Sequence, residues 1–124
     1  MHSFNASGGD AAIDMSHLEQ YTCGEAQLLD EILGIFIEHA GRCVARLGVD
    51  AGDEDWRETC HSLKGAARGV GAWALGQQAA EAEGLIGDLP AKTLARENRL
   101  KALRLAAREA VDYAETLRAE ARAA

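Results

Sequence analysis

The residues of this chain that could do chemistry cluster in the segment His61-Ser62-Leu63-Lys64-Gly65-Ala66-Ala67-Arg68. An imidazole nitrogen is a good nucleophile near neutral pH when the other ring nitrogen carries the proton. Phosphoryl transfer onto such a nitrogen asks little covalent chemistry of the protein. It needs positioning, and cations near the phosphoryl oxygens. Lys64 and Arg68 stand three and seven residues after His61, on the same face of a helix, and could supply those cations. Gly65, one turn on, puts no side chain beside the ring, so a loop of another protein could approach it closely. Lys64 is one of only three lysines in the chain.

For this to work, a helix must hold the histidine away from the core. Trp56, Cys60, Leu63, Ala67 and Val70 follow at steps of four, three, four and three, which makes a clean apolar stripe. At 100° per residue, His61 lies about 140° from Trp56 and about 160° from Leu63, so it faces solvent. Asp53 or its neighbours cap this helix, with Asp53, Glu54 and Asp55 at the positive end of its dipole. Gly69 and Gly71 end it. Counting from a turn at Gly71, His61 lies ten residues back and Glu83 twelve residues on. The two therefore sit at nearly the same height across a helical hairpin. Glu83 is thus placed to accept a hydrogen bond from Nδ1 of His61 and leave Nε2 as the exposed nucleophile.

Four further helices are expected around this one. Asp14 caps a short helix carrying Met15, Leu18 and Tyr21, which Gly24 breaks. From Glu25 to about Leu47, apolar residues at 28, 29, 32, 33, 36, 40, 43, 44 and 47 form one broad face. Gly48 to Gly52 is a turn. After the His61 helix, a fourth runs from about Ala72 to Ile86, burying Leu75, Ala79, Ala82 and Ile86, and Gly87 stops it. Pro90 suits the first turn of a fifth helix, from about Ala91, with Leu100, Leu103, Ala107, Ala110, Ala114 and Leu117 on one face. The fold class is all-α: an antiparallel up-down-up-down four-helix bundle with a short additional N-terminal helix. Residues 1–10 read as a loose polar leader, and residues 11–124 as a single domain.

Composition agrees. The 124 residues are 48% hydrophobic and 27% charged, with 25 alanines and one proline, as a helical globular domain requires. The net charge of -7 argues against a nucleic-acid partner, since phosphate contacts need a basic face. That charge is uneven: residues 1–60 hold 12 acids and 3 bases, residues 61–124 hold 8 acids and 10 bases. No apolar run approaches a membrane span, and the first residues lack the pattern of a signal peptide. Cys23, Cys43 and Cys60 are odd in number with no CxxC spacing, so neither a disulfide framework nor a structural zinc is expected. The chain reads as soluble, reduced and cytoplasmic.

The stretch CHSLKGAARGVGAWAL, with DW five residues before its His, resembles the histidine-containing phosphotransfer (HPt) domain family, whose motif is H-x-x-K-G followed by small residues and a hairpin Gly. IDMSHLEQYTCGEAQLLDEILGIFIEHA is similar to that family's first two helices. The resemblance covers residues 13 to about 87; the last helix matches only in type and length. It implies His61 as phosphoacceptor, Lys64 as the support of the phosphohistidine, Gly65 as the small residue that admits the partner and Gly71 as the turn. Glu83 departs from the Gln of many stand-alone members and matches the acceptor domains of chemotaxis kinases. Ala66 stands where Ser is common.

The function this implies is carriage of a phosphoryl group on His61 between receiver-domain aspartates in a two-component phosphorelay. The partners are response-regulator receiver domains and a hybrid or upstream histidine kinase, with no nucleic acid and no membrane, and the carrier is a monomer. The chain itself binds no cofactor or metal; Mg²⁺ arrives on the receiver, and no autonomous ATP-dependent kinase activity is expected. Ile13, His17 and Leu18 are the apolar docking surface expected beside Gly65. Two other readings compete: a non-catalytic helical adaptor that binds receivers, and the phosphoacceptor domain of a split chemotaxis-like kinase. Bland readings suit the remaining candidates. Cys60 lies on the core stripe rather than beside the imidazole, His39 and Cys43 lack a third metal ligand, and Trp56 and Trp73 pack.

Overall fold

A computed structural model describes residues 11–123; the expected leader at residues 1–10 lies outside them. The described residues form five helices and no strand: α1 Met15–Thr22, α2 Ala26–Arg46, α3 Asp53–Val70, α4 Trp73–Glu83 and α5 Lys92–Ala123. None of these helices is long and apolar enough to cross a membrane. Helices α2 to α5 each pack on their chain neighbours, and α5 closes the ring against α2. Short connections reverse the chain at each step, giving a four-helix bundle. Its core is built from the apolar stripes expected: Leu33, Phe36 and Ala40 of α2, Trp56, Cys60 and Leu63 of α3, Leu75 and Ala79 of α4, and Leu100, Leu103 and Ala107 of α5. The many alanines on α4 and α5 let those helices approach closely.

Helix α1 crosses one end of the bundle. Asp14 caps it, its Oδ1 accepting from the His17 backbone N–H at 3.3 Å. The same residue ties α1 to the α3–α4 hairpin: its N–H donates to the Gly71 carbonyl at 2.9 Å, and Trp73 Nε1 donates to Oδ2 at 3.0 Å. The Trp73 hydrogen bond is the main reason the Asp14 carboxyl sits below its ordinary pKa. Gly71 is in the left-handed region at φ +81°, and a Cβ there would lie 3.0 Å from the Asp14 carbonyl oxygen. Only glycine meets both conditions.

Gly52, the neighbour just before Asp53, takes the cap of α3, as the expectation allowed, and two later boundaries differ from it. The Asp53 carboxylate is drawn across to the α4–α5 connection, accepting from Gly87 N at 2.8 Å, Lys92 Nζ at 2.9 Å and Arg96 Nη2 at 2.8 Å. Helix α4 stops at Glu83 rather than Ile86: Leu85 N turns back to the Ala82 oxygen and Ile86 N to the Gly84 oxygen, and core side chains hold the carbonyls on either side of the stop. Trp56 Nε1 donates to the Ala82 oxygen at 2.7 Å and Arg96 Nε to the Leu85 oxygen at 3.0 Å. Pro90 precedes α5 instead of starting it. Ala91, at φ +53°, separates the two, and its carbonyl accepts the first helical bond from Ala95 N.

Arg96 was not distinguishable in sequence from the other basic residues of α5. Its side chain is 2% exposed, and its guanidinium lies 4.3 Å from the centre of the Trp56 ring. Besides Leu85 and Asp53 it satisfies the Val49 and Ala51 carbonyls, at 3.1 and 2.8 Å. Four of the five N–H donors of this buried cation have an acceptor.

Two stability outcomes follow. Arg96→Met would leave the Leu85, Val49 and Ala51 carbonyls without this donor and take one of three partners from Asp53, and should cost about 3 kcal/mol or more in urea unfolding. Gly71→Ala should cost about 2 kcal/mol through the left-handed backbone and the approach to Asp14. A Gly71→Ala protein as stable as the parent would refute that account of the hairpin.

Candidate functional site

The α3–α4 hairpin turns in two residues, so the heights of α3 and α4 side chains are locked together. His61 projects from α3 with 66% of its side chain exposed. Its Nδ1 lies 2.9 Å from Oε2 of Glu83 on α4, the partner the hairpin count placed opposite it. The other carboxylate oxygen, Oε1, accepts from Lys64 Nζ at 2.7 Å. Glu83 and Lys64 are themselves only 20% and 21% exposed. One carboxylate therefore bridges the imidazole and the ammonium group and holds both side chains on the hairpin surface.

The electrostatics set the tautomer. The Lys64 hydrogen bond, more than the bond from His61, holds the Glu83 carboxyl below its ordinary pKa against the opposing effect of burial. An ionised carboxylate only accepts hydrogen bonds. The neutral ring must then carry its proton on Nδ1, with the Nε2 lone pair directed to solvent. That is the protonation pattern of a nucleophilic imidazole.

Of the other candidates, some join this cluster and some do not. A Cβ placed on Gly65 would meet nothing within 4 Å, so this glycine leaves a bare surface beside the ring and serves no packing need. Arg68 is exposed and makes no ion pair among the described residues; its stem lies over Gly76 of α4, where a Cβ would come 3.2 Å from Arg68 Cγ. Arg68 thus flanks the cluster without joining it. His17 is half-buried, edge-on to Trp73 and Tyr21 with ring centres at 4.9 and 5.3 Å.

Ile13 and Leu18 are not a docking surface. They are 0% and 1% exposed and belong to the core, because α1 lies flat on the end of the bundle and turns its apolar side inward. The apolar surface next to the site is instead a groove between α2 and α3. Ile32, Ile35 and Phe36 line one wall, and Ala66, Gly69 and Val70 the other. Ile35 is 69% exposed. Its signal was present in sequence: Ile35 falls off the broad apolar face of α2, where an isoleucine has no packing role.

The remaining polar candidates sort clearly. Burial pushes the Cys60 thiol up to about 12, with the Glu83 charge adding to the effect, so it is no nucleophile. His39 Nε2 lies 2.8 Å from Ser62 Oγ and 3.6 Å from Cys43 Sγ. Among the described residues no group of three or more His, Cys, Asp or Glu side chains is placed to hold a metal ion.

Comparison with known proteins gives one match. A family model described as the Hpt domain matches residues 31–121, a span that includes His61, Lys64 and Glu83 and most of the chain. No curated protein and no solved structure matches.

The Glu83 assignment has a pH signature. Its folded-state pKa is lowered from 4.5, so its contribution is complete above that value and lost as pH falls through the depressed one. In ¹⁵N imidazole spectra, the neutral His61 ring should be held as the Nδ1–H tautomer. Glu83→Ala should release it toward the Nε2–H form. An unchanged tautomer in that variant would remove Glu83 from the site.

Proposed function

The chain belongs to the Hpt domain family, and on that premise we propose that His61 is its phosphoacceptor, exchanging a phosphoryl group with the aspartates of receiver domains. Hpt domains act in histidine phosphotransfer within phosphorelays, where they meet receiver domains and histidine kinases. The observation that supports His61 here is the shared Glu83 carboxylate, which accepts from Nδ1 and gathers Lys64 while Nε2 stays open.

In the proposed step, the Nε2 lone pair attacks the phosphorus of a receiver aspartyl phosphate in line with the departing oxygen. The N–P bond forms as the P–O bond to the carboxylate breaks, and the electron pair leaves with the aspartate. The ring gains positive charge, and its Nδ1 proton remains on the ring, held by Glu83. Lys64 lies close enough to the same carboxylate to swing its ammonium toward the phosphoryl oxygens. The reverse sequence delivers the group to a second receiver. Mg²⁺ belongs to the receiver's acidic site in this reading, and this chain contributes the nucleophile and cations. The receiver sits over Gly65, where the surface is bare, with the Ile32–Ile35–Val70 groove as its apolar contact. The domain works as a monomer in the cytoplasm.

Glu83 also favours a second reading, the acceptor domain of a split chemotaxis-like kinase, because that class carries Glu opposite its histidine. The two separate by phosphate source. A receiver charged with acetyl phosphate and Mg²⁺ should label the protein with acid-labile, base-stable phosphate, and His61→Gln should take up none. Lys64→Ala should slow labelling by about tenfold or more. Gly65→Gln should fold normally yet raise KM for the receiver, since its side chain enters open space. Labelling only by a kinase that lacks its own acceptor domain would select the second reading. Receiver binding without label from either source would leave an adaptor.

A further inference from the structure

The groove between α2 and α3 does not end with its apolar half. On α2, Ile32, Ile35, His39, Arg42 and Arg46 follow at steps of three, four, three and four, so they lie on one stripe along it. The hydrogen bond between His39 Nε2 and Ser62 Oγ, 2.8 Å, divides the groove in two. Toward Val70 lies the apolar part, a space of about 470 Å³. Toward the start of α3 lies a polar part of about 320 Å³, walled by Arg42, Arg46, Glu58, Thr59 and Ser62. His61 immediately precedes the residue that forms the divide.

The charges of the polar part are unusual for this half of the chain. Residues 1–60 hold 12 acids and 3 bases, and two of those three bases, Arg42 and Arg46, face this one cleft. Arg46 is engaged, 2.6 Å from Asp55, with both side chains more than half exposed. Arg42 is exposed and has no ion-pair partner among the described residues. A free guanidinium is a planar fork that matches a carboxylate. The Ser62 hydroxyl, paired with His39, lines the opposite, α3 wall of the same cleft.

We propose that Arg42 is a specificity residue, pairing with a carboxylate on the docking helix of the receiver domain while an apolar side chain of the same helix fills the Ile32–Ile35 part of the groove. Ile35 and Arg42 are seven residues apart, about 10 Å along α2. The partner helix therefore carries its apolar residue and its Asp or Glu two turns apart on one face. The net charge of -7 repels an acidic partner at long range, so the pairing acts on register and partner choice rather than on the rate of encounter. Glu58, on the opposite wall, competes for Arg42 and limits the affinity.

This inference rests on the phosphocarrier reading, and one set of transfer assays distinguishes the failure of each. The donor is the receiver domain that labels wild-type protein fastest when charged with acetyl phosphate and Mg²⁺. Arg42→Gln should raise KM about tenfold with kcat within twofold; Arg42→Lys should recover part of the loss, and Glu58→Gln should lower KM. The wild-type advantage in kcat/KM over Arg42→Gln should shrink between 50 and 500 mM NaCl. Arg42→Glu should be rescued by the opposite change, Asp or Glu to Arg, on the receiver helix. Unchanged KM in Arg42→Gln, a loss confined to kcat, or a salt-independent advantage overturns the role of Arg42 and leaves the carrier reading intact. No label on the wild-type protein from any charged receiver overturns the carrier reading itself.

Discussion

A guanidinium with 2% of its surface exposed sets the arrangement of the functional end of this bundle. A buried cation is tolerated only if its donors find acceptors, and Arg96 meets that demand by drawing three segments to its own helix. It takes the Val49 and Ala51 carbonyls from the α2–α3 connection, Asp53 from the start of α3, and Leu85 from just beyond α4. Its other side stacks on Trp56, whose indole N–H holds the Ala82 carbonyl. Ala82 and Leu85 bracket Glu83. The same contacts therefore hold the end of α4 around Glu83, whose height opposite α3 the two-residue turn at Gly71 sets.

From that height the site follows. His61 and Lys64 both reach Glu83 because they are one turn apart on α3 and Glu83 is at their level on α4. The carboxylate stays ionised, its proton affinity reduced mainly by Lys64, and it holds the imidazole with Nε2 outward. Nothing else crowds the ring. Gly65 leaves open surface on one side, and the α2–α3 groove runs past on another. His61, Lys64 and Glu83 are thus gathered on one hairpin with open surface around them.

Much of this was legible in the residues. The stripe Trp56, Cys60, Leu63, Ala67, Val70 placed His61 outside the core, and the count from Gly71 paired it with Glu83. Both inferences use only helical geometry, which is nearly invariant. The errors fall where a local pattern has more than one tertiary use. Ile13 and Leu18 were read as surface because a short isolated helix has an apolar side with no stated destination; packing across the end of the bundle consumed it. The pattern leaves open whether Asp53 or a neighbour caps α3; a lysine and an arginine from α5 claim the Asp53 carboxylate, and Gly52 takes the cap. Arg96 looked like any basic residue on a charged helix.

What the sequence alone determined is the set of helices, their buried faces and the exposed His61 with its opposite carboxylate, because each depends on periodicity and on distance from one turn. Tertiary structure decided which polar side chains are buried, where α4 ends, and that the open apolar surface is the α2–α3 groove rather than α1. Those outcomes depend on contacts between different segments, from Trp56 with Ala82, 26 residues apart, to Arg96 with Val49 and Trp73 with Asp14, 47 and 59 apart. A linear pattern records which groups need partners; only the packed chain determines which partners they find.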